Sequence, residues 1–305
     1  VKSVKEKSRK SLRPIILPKQ FSFKTEDDNV LCISNWKMKV AEGNGDTEFY
    51  KPDFDDYSWL DVTNGAWEMQ LPQERDKEIY PVTLCYRTSF EIGNLPSNMR
   101  LLIDGFSGSE YKLFINGNEV KDKGKRSKLD AEIKEVDIQS FIQKGKNIVA
   151  IKLIANRRTD GILDLLKIIG DFALEKNEKG FKISEKKSTM KIGDWTKQGY
   201  PFYSGTGVYE TDFDIPEKYL DGKLFLNVDC GEDVLEVIVN DNEGIVVPWH
   251  PYKVDITNML KSGNNKIKLK VTNTLINILE AIQKKSGIFV QPKIEHSYKY
   301  HLTIE

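Results

Sequence analysis

Hydrophobic and polar residues alternate from Lys266 to Val271, where Ile267, Leu269 and Val271 interleave with Lys266, Lys268 and Lys270. This period of two is that of a strand with one buried face and one wet face. The stretch before it, from Trp249, reads as a strand, a short turn that Asp255 or Thr257 can cap, and Gly263 as the left-handed residue that ends the turn. The same order occurs earlier in the chain. Val136-Asp137-Ile138 answers Val254-Asp255-Ile256, Gly145-Lys146-Asn147 answers Gly263-Asn264-Asn265, and Asn156 answers Asn273. Between them Val149, Ile151 and Leu153 repeat the alternation.

The matching continues outward. Tyr86 to Ile92 aligns with Tyr209 to Ile215, and the run from Leu101 to Gly117 aligns with that from Leu224 to Asp241. Matched positions lie roughly 120 residues apart, far beyond solenoid or propeller periods, so each repeat is a whole domain and the chain reads as a tandem duplication. Asn116-Gly117 signals a two-residue hairpin turn, and Asn240-Asp241-Asn242 holds the same place in the second copy. Many short strands and no long amphipathic helix predict an all-β chain, with each copy a β-sandwich of jelly-roll type. Residues 162–174 are apolar enough for a closing strand or short helix, and 175–180 form a polar break. The expected division is a basic leader over 1–19, a first domain over 20–178 and a second over 179–305.

Composition narrows the function classes. The 305 residues carry 46 Lys+Arg against 46 Asp+Glu, which leaves no global field to hold nucleic acid or an anionic membrane, and no apolar run is long enough to span a bilayer. The local excess in the leader (Lys2, Lys5, Lys7, Arg9, Lys10, Arg13 and Lys19 against Glu6) lacks interleaved aromatics and reads as a solvated linker. Cys32, Cys85 and Cys230 are odd in number and far apart inside apolar strands, so they read as buried free thiols rather than a disulfide framework or a zinc site. That usage leans towards a reducing, cytoplasmic compartment.

The chemistry concentrates in the loop from Gly193 to Gly207. Trp195, Tyr200, Phe202 and Tyr203 stand there among glycines, with Gln198 as a two-sided amide, and a pyranose ring offers both C–H faces for aromatic stacking and hydroxyls for amides. Trp249 and His250 are candidate neighbours. The competing reading is that such rings close the end of a sandwich core. The stretch from Trp67 to Tyr80 in the first copy is crowded with charge, which directs any oligo- or polysaccharide site to the second. His250 has no His, Cys or carboxylate at metal spacing. Of the carboxylates, Asp53, Asp55, Asp56, Asp229, Glu232 and Asp233 stand out, but no spacing pairs two of them across a glycosidic bond. Their loops read as turns, with a structural calcium as the one cofactor considered, although no calcium-loop spacing occurs. Phosphate-loop, dinucleotide, serine-elbow and HExxH motifs are missing. No catalytic residue and no metal ligand is assigned.

Several of these stretches resemble a known family. Phe54-Asp-Asp-Tyr-Ser-Trp59, the strand at Tyr86, the hairpin at Asn116 and the unit from Asp137 to Leu153 are similar to the sugar-binding, galactose-binding-like jelly roll of family 2 glycoside hydrolases. From Gly193 to Asn277 the second copy resembles the C-terminal region of large α-L-rhamnosidase-like enzymes. The first copy departs from the pattern at 128–133, where Lys128-Leu-Asp-Ala-Glu-Ile133 replaces a Gly-Gly approach. The resemblance implies a non-catalytic region that contacts polysaccharide or buttresses the catalytic domain of the same enzyme, whose barrel needs about 250 residues absent here. A chain hydrolytic in its own right through Asp229 and Glu232, and a purely structural interaction module, are the alternatives.

Overall fold

The computed structural model describes residues 11–41, 48–71, 80–178 and 180–298. Most of the basic leader, the loop around Gly43 and Gly45 and the charged stretch 72–79 lie outside the described residues. Within them the chain is all-β, built of sheets that are antiparallel but for one strand pair and that enclose two large separate cores as two β-sandwiches.

In the first sandwich the larger sheet runs Asn118–Val120, Glu110–Ile115, Gly145–Ala155, Val82–Ile92, with Trp36–Val40 and Gly180–Ser184 sharing the far edge of the last strand. The facing sheet runs Lys134–Asp137, Met99–Ile103, Leu166–Gly170, Asn29–Ile33. The second sandwich repeats this order. Its larger sheet is Ile245–Val247, Val234–Val239, Gly263–Thr272, Thr206–Ile215, Gln20–Thr25, and its facing sheet is Lys253–Asp255, Gly222–Asp229, Val290–Tyr298, Ile15–Ile16.

Residues 15–25 therefore pair within the second sandwich, although the sequence assigns 1–19 to a leader and 20–25 to the first domain. Phe21 and Phe23 alternate with polar Gln20, Ser22 and Lys24, and with Leu17 they bury themselves in the second core, which lacks two strands without them. The first sandwich, from Asn29 onward, occupies the connection between Gln20–Thr25 and Thr189–Lys191. The expected polar break at 175–180 is instead the tip of a hairpin joining Ala173–Asn177 to Gly180–Ser184, whose second strand runs parallel to Val82–Ile92.

The matched turn units are built from the same hydrogen bonds. Buried Asn147 accepts from Gln143 N–H at 2.9 Å and donates to the Gln143 and Gly145 carbonyls; buried Asn265 accepts from Lys261 N–H at 3.0 Å and donates to the Lys261 and Gly263 carbonyls. Asn116, at φ 48, donates to Asn147 Oδ1 at 2.8 Å, and Asn240, at φ 53, donates to Asn265 Oδ1 at 3.1 Å. A buried amide left unmatched costs about 1–3 kcal/mol, so these asparagines fix the register between turn and hairpin.

One end of each sandwich is closed by a matched plug. Gly65–Ala66 pairs with Gly161–Ile162, and Gly193–Asp194 pairs with Gly287–Ile288. The next residue is Trp67 in one and Trp195 in the other, each fully buried, with its N–H donated at 2.9 Å to the carbonyl of Asp160 or Ser286. Gly161 and Gly287 have positive φ, and a Cβ there would lie 2.7 Å from the Gly65 carbonyl and 2.6 Å from that of Gly193. Only glycine lets the two short strands approach this closely.

Candidate functional site

The aromatic loop of the second sandwich is not a surface. Trp195, Tyr200 and Tyr203 are fully buried, packed edge-to-face at 5.6 Å and 5.8 Å between centroids, inside the second core. Phe202, between them in sequence, turns the other way and enters the first core, 5.3 Å from the Phe181 ring. The loop is thus a staple between the sandwiches. Asn29 reinforces it by donating to the carbonyls of Phe172 and Gly199 at 3.0 Å and 2.9 Å. Gln198 spends both ends of its amide on backbone, accepting from Lys191 N–H at 3.2 Å and donating to the Lys191 carbonyl at 3.1 Å. The expectation that these five residues form a sugar-stacking face is corrected by this packing: rings without exposed area have no face to offer, and the amide is already satisfied. The Gly65-Ala-Trp67 and Gly193-Asp-Trp195 correspondence is the sequence signal that could have revealed a structural plug.

Trp249 and His250 are the two predicted residues that remain on the surface. Trp249 is 73% exposed and makes no ring contact among the described residues; His250 leans on Tyr252 with ring centroids 4.4 Å apart. Tyr252 is buried and donates to the carbonyls of Asp233 at 2.6 Å and Gly231 at 3.1 Å, so it anchors the exposed pair to the plugged end of the sandwich.

The carboxylates are dispersed and differently used. Asp55 accepts from Tyr57 N–H at 3.0 Å, whereas Asp56 leaves the expected solvated turn to hold buried Arg87 at 2.7 Å. Asp229 accepts from Gly231 N–H at 3.0 Å, and Glu232 is ion-paired with Lys284 at 2.8 Å. Asp233 is buried, and that burial pushes its carboxyl up to about 7, against the opposing pull of the Gly287 N–H and the Ser286 hydroxyl. Sequence spacing also missed a triad at one end of the first sandwich, where buried Lys167 lies 3.5 Å from Asp104 and 3.4 Å from Asp164. Burial, and then hydrogen bonding with Asp164, raises the Asp104 carboxyl. Among the described residues no three His, Cys, Asp or Glu side chains gather as a metal site. Cys32, Cys85 and Cys230 form no disulfide; burial pushes the Cys32 and Cys230 thiols up to about 12, which leaves them poor nucleophiles. No helix among the described residues is long and apolar enough to cross a membrane.

Two concavities among the described residues bear on ligand binding. A notch of about 480 Å³ opens where Trp36–Val40 and Gly180–Ser184 leave a gap beside Thr88 and Ser89, with Phe181 and Phe202 on one wall. Several of its polar groups are mutually engaged, Lys37 with Asp61 at 2.9 Å and Thr88 with the Asn35 carbonyl at 2.8 Å. A larger cleft, about 700 Å³, lies on the seam between the sandwiches; the 25–28 crossover and Ser204 form one side and Arg100, Glu135 and the 125–129 segment the other.

No family model matches the chain. An 89-residue stretch, 28% of the chain, is 34% identical to a putative beta-glucuronidase of Formosa agariphila, and the match spans only 8% of that protein. Among solved structures, the chain is similar to the exo-chitosanase CsxA of Amycolatopsis orientalis, at 14% identity and a TM-score of 0.39, covering 80% of this chain and 29% of that one. It is also similar to the beta-glucuronidase of Bifidobacterium dentium, at 11% identity and a TM-score of 0.39, covering 82% and 42% respectively. Likeness of that degree carries no functional argument.

Proposed function

We propose that the chain is an accessory β-sandwich region of a glycoside hydrolase, a rigid tandem scaffold for a catalytic domain carried elsewhere. The observation that carries this reading is the fate of the aromatic loop, whose rings join the two sandwiches instead of facing solvent. The local identity to a putative beta-glucuronidase supplies the enzyme class. The repeated strand order, asparagine networks and tryptophan plugs support an origin of the two sandwiches in one duplicated unit. Asp229 and Glu232, the carboxylates a self-sufficient hydrolase would use, are instead held by a turn and by a surface lysine, which favours the accessory role. Where sugar stacks on tryptophan at all, Trp249 is the residue: Trp36, Trp59, Trp67 and Trp195, the other four of the five in the chain, are buried.

The test uses the purified 305-residue chain. Turnover of aryl β-glucuronides is expected to be zero, and glycan titration is expected to move tryptophan fluorescence only through Trp249, so that Trp249→Ala abolishes the response while leaving Tm unchanged. Turnover that survives controls for contaminating enzyme would overturn the accessory reading. A fluorescence response that persists in Trp249→Ala would overturn the assignment of Trp249.

A further inference from the structure

We infer that the seam cleft between the sandwiches is a binding site for an acidic oligosaccharide, a ligand whose uronate carboxylates meet the basic rim at Lys125, Arg126 and Lys128. This rests on the glycoside-hydrolase reading for its ligand class, and on the cleft's own charge arrangement for its sign.

Acidic and basic side chains are equally frequent in the lining, so charge counting alone gives no preference. Pairing gives one. Arg100 sits on the floor between Asp28 and Glu135, bonding Glu135 at 2.6 Å, and Ser127 donates to the other Glu135 oxygen at 2.9 Å. Asp171 is taken by Lys186 at 2.5 Å, and Glu26 by Lys270 at 3.0 Å. Asp27, also on the lining, accepts from Thr206 N–H at 3.3 Å. Every acid on the lining is thereby engaged. Lys125, Arg126 and Lys128, all exposed, have no carboxylate partner among the described residues. Arg100 offsets one of the two charges of Asp28 and Glu135, and Asp27 keeps its own, so negative charge remains in the floor and the unpaired positive charge is confined to the rim, where an anion gains attraction without displacing an existing ion pair.

Shape and surface agree with a saccharide. About 700 Å³ is within the range of sites that enclose a small ligand. Ser97 and Asn98 are exposed on the lining and offer hydroxyl and amide groups to sugar hydroxyls. Lys125–Arg126 is the outermost strand of its sheet, paired on one side only with Lys134–Asp137, so its cations stand on an edge that nothing else covers among the described residues. The walls come from both sandwiches, which gives the rigid staple a purpose: it fixes the width of the cleft.

The full chain is titrated with a β-linked glucuronic acid trimer, with the same trimer after reduction of its carboxyls to alcohols, and with triglutamate. The uronate trimer is expected to bind at least about tenfold more tightly than the reduced trimer, and to weaken as salt rises. The variant Lys125→Ala/Arg126→Ala/Lys128→Ala should remove that difference with Tm unchanged, whereas Lys266→Ala/Lys268→Ala, which removes positive charge from an unrelated face, should preserve it. Equal binding of the two trimers, binding unchanged in the triple variant, or no binding of either trimer overturns the cleft assignment and leaves the accessory reading standing. Triglutamate binding as tightly as the uronate trimer overturns the saccharide class, and with it the support that the cleft lends to a glycoside-hydrolase origin.

Discussion

The outer faces of the two large sheets place different chemistry at matched positions. In the first sandwich Arg87, Ala150 and Phe114 lie side by side across three strands; in the second the corresponding row is Glu210, Lys268 and Ile238. The first row is covered. Residues 48–59 fold over it, and Phe49, Phe54 and Trp59 pack there with Ala150, Phe114 and Cys85. Arg87 is buried beneath them, bonded to Asp56, to the carbonyls of Phe49, Lys51 and Phe54, and held 5.4 Å from the Phe54 ring. The second row is open. Glu210 pairs there with Lys266 and Lys268, and Lys270 with Glu236 at 3.2 Å, as a half-exposed lattice of charge. One strand scaffold thus supports a second hydrophobic layer or a wet face, according to what the connecting loop brings. In the first sandwich the connection after Trp36–Val40 delivers the aromatic cover; in the second the connection after Gln20–Thr25 delivers the whole first sandwich.

That nesting predicts the largest effect. A chain beginning at residue 179 should fail to form the second sandwich, because it loses Leu17, Phe21 and Phe23, worth about 1.5–3 kcal/mol each on burial, together with two strands. Circular dichroism melts of 179–305, alone and with a peptide covering 11–28, would test it. A cooperative transition in 179–305 alone would show that the second sandwich closes without those strands.

The plugs come next. Trp67→Ala and Trp195→Ala should each cost about 3–5 kcal/mol by leaving a cavity that the rigid strands do not collapse to fill. Differential scanning calorimetry should find both severe. A harmless Trp195→Ala would separate the two ends and return the aromatic loop to a binding role.

The buried carboxylates near the plugs respond to pH in opposite directions. Burial holds Asp233 up at about 7, so the folded state binds a proton that the unfolded chain has released, and stability falls as pH rises from about 4 to 7. Asp233→Asn should remove that slope and gain up to about 4 kcal/mol at pH 8. Burial would also raise Asp160, but hydrogen bonds from Asn156 N–H, Ser107 and Arg157 bring it below the ordinary range. Its stabilisation is therefore present above the unfolded pKa and lost as pH falls through the folded one. Asp160→Asn should be damaging at neutral pH and less so in acid. Urea titrations at pH 2, 3, 4, 6 and 8 would show both slopes, that of Asp233 between pH 4 and 8 and that of Asp160 below pH 4; parallel slopes would mean that the two ends are not electrostatic opposites.

The smallest contrast lies in the outer faces themselves. Arg87→Ala should cost about 2–3 kcal/mol, since three carbonyls and Asp56 lose their donor at a site closed to water. Glu210→Ala, on the open face, should cost less than about 1 kcal/mol, and less still in high salt. Similar losses for the two substitutions would mean that the aromatic cover does not exclude water from Arg87.

Local pattern was enough for the strands, the primed hairpin at Asn116-Gly117, the turns ended by Gly145 and Gly263 and the all-β class, because each depends on backbone geometry and on residues close in sequence. It was also enough to align the halves, since both carry the same buried positions in the same order. Partnership across long separations was decided only by the tertiary structure. Ile15 and Phe23 have the same alternation whichever sandwich they join, and hydrogen bonding to Ile294 and Tyr209 sends them to the second. The aromatic loop shows the same limit from the other side. A ring's hydrophobicity states that it will leave water if a cavity is offered, and whether Trp195 meets a core or a sugar depends on strands almost 100 residues further along the chain, which close over it.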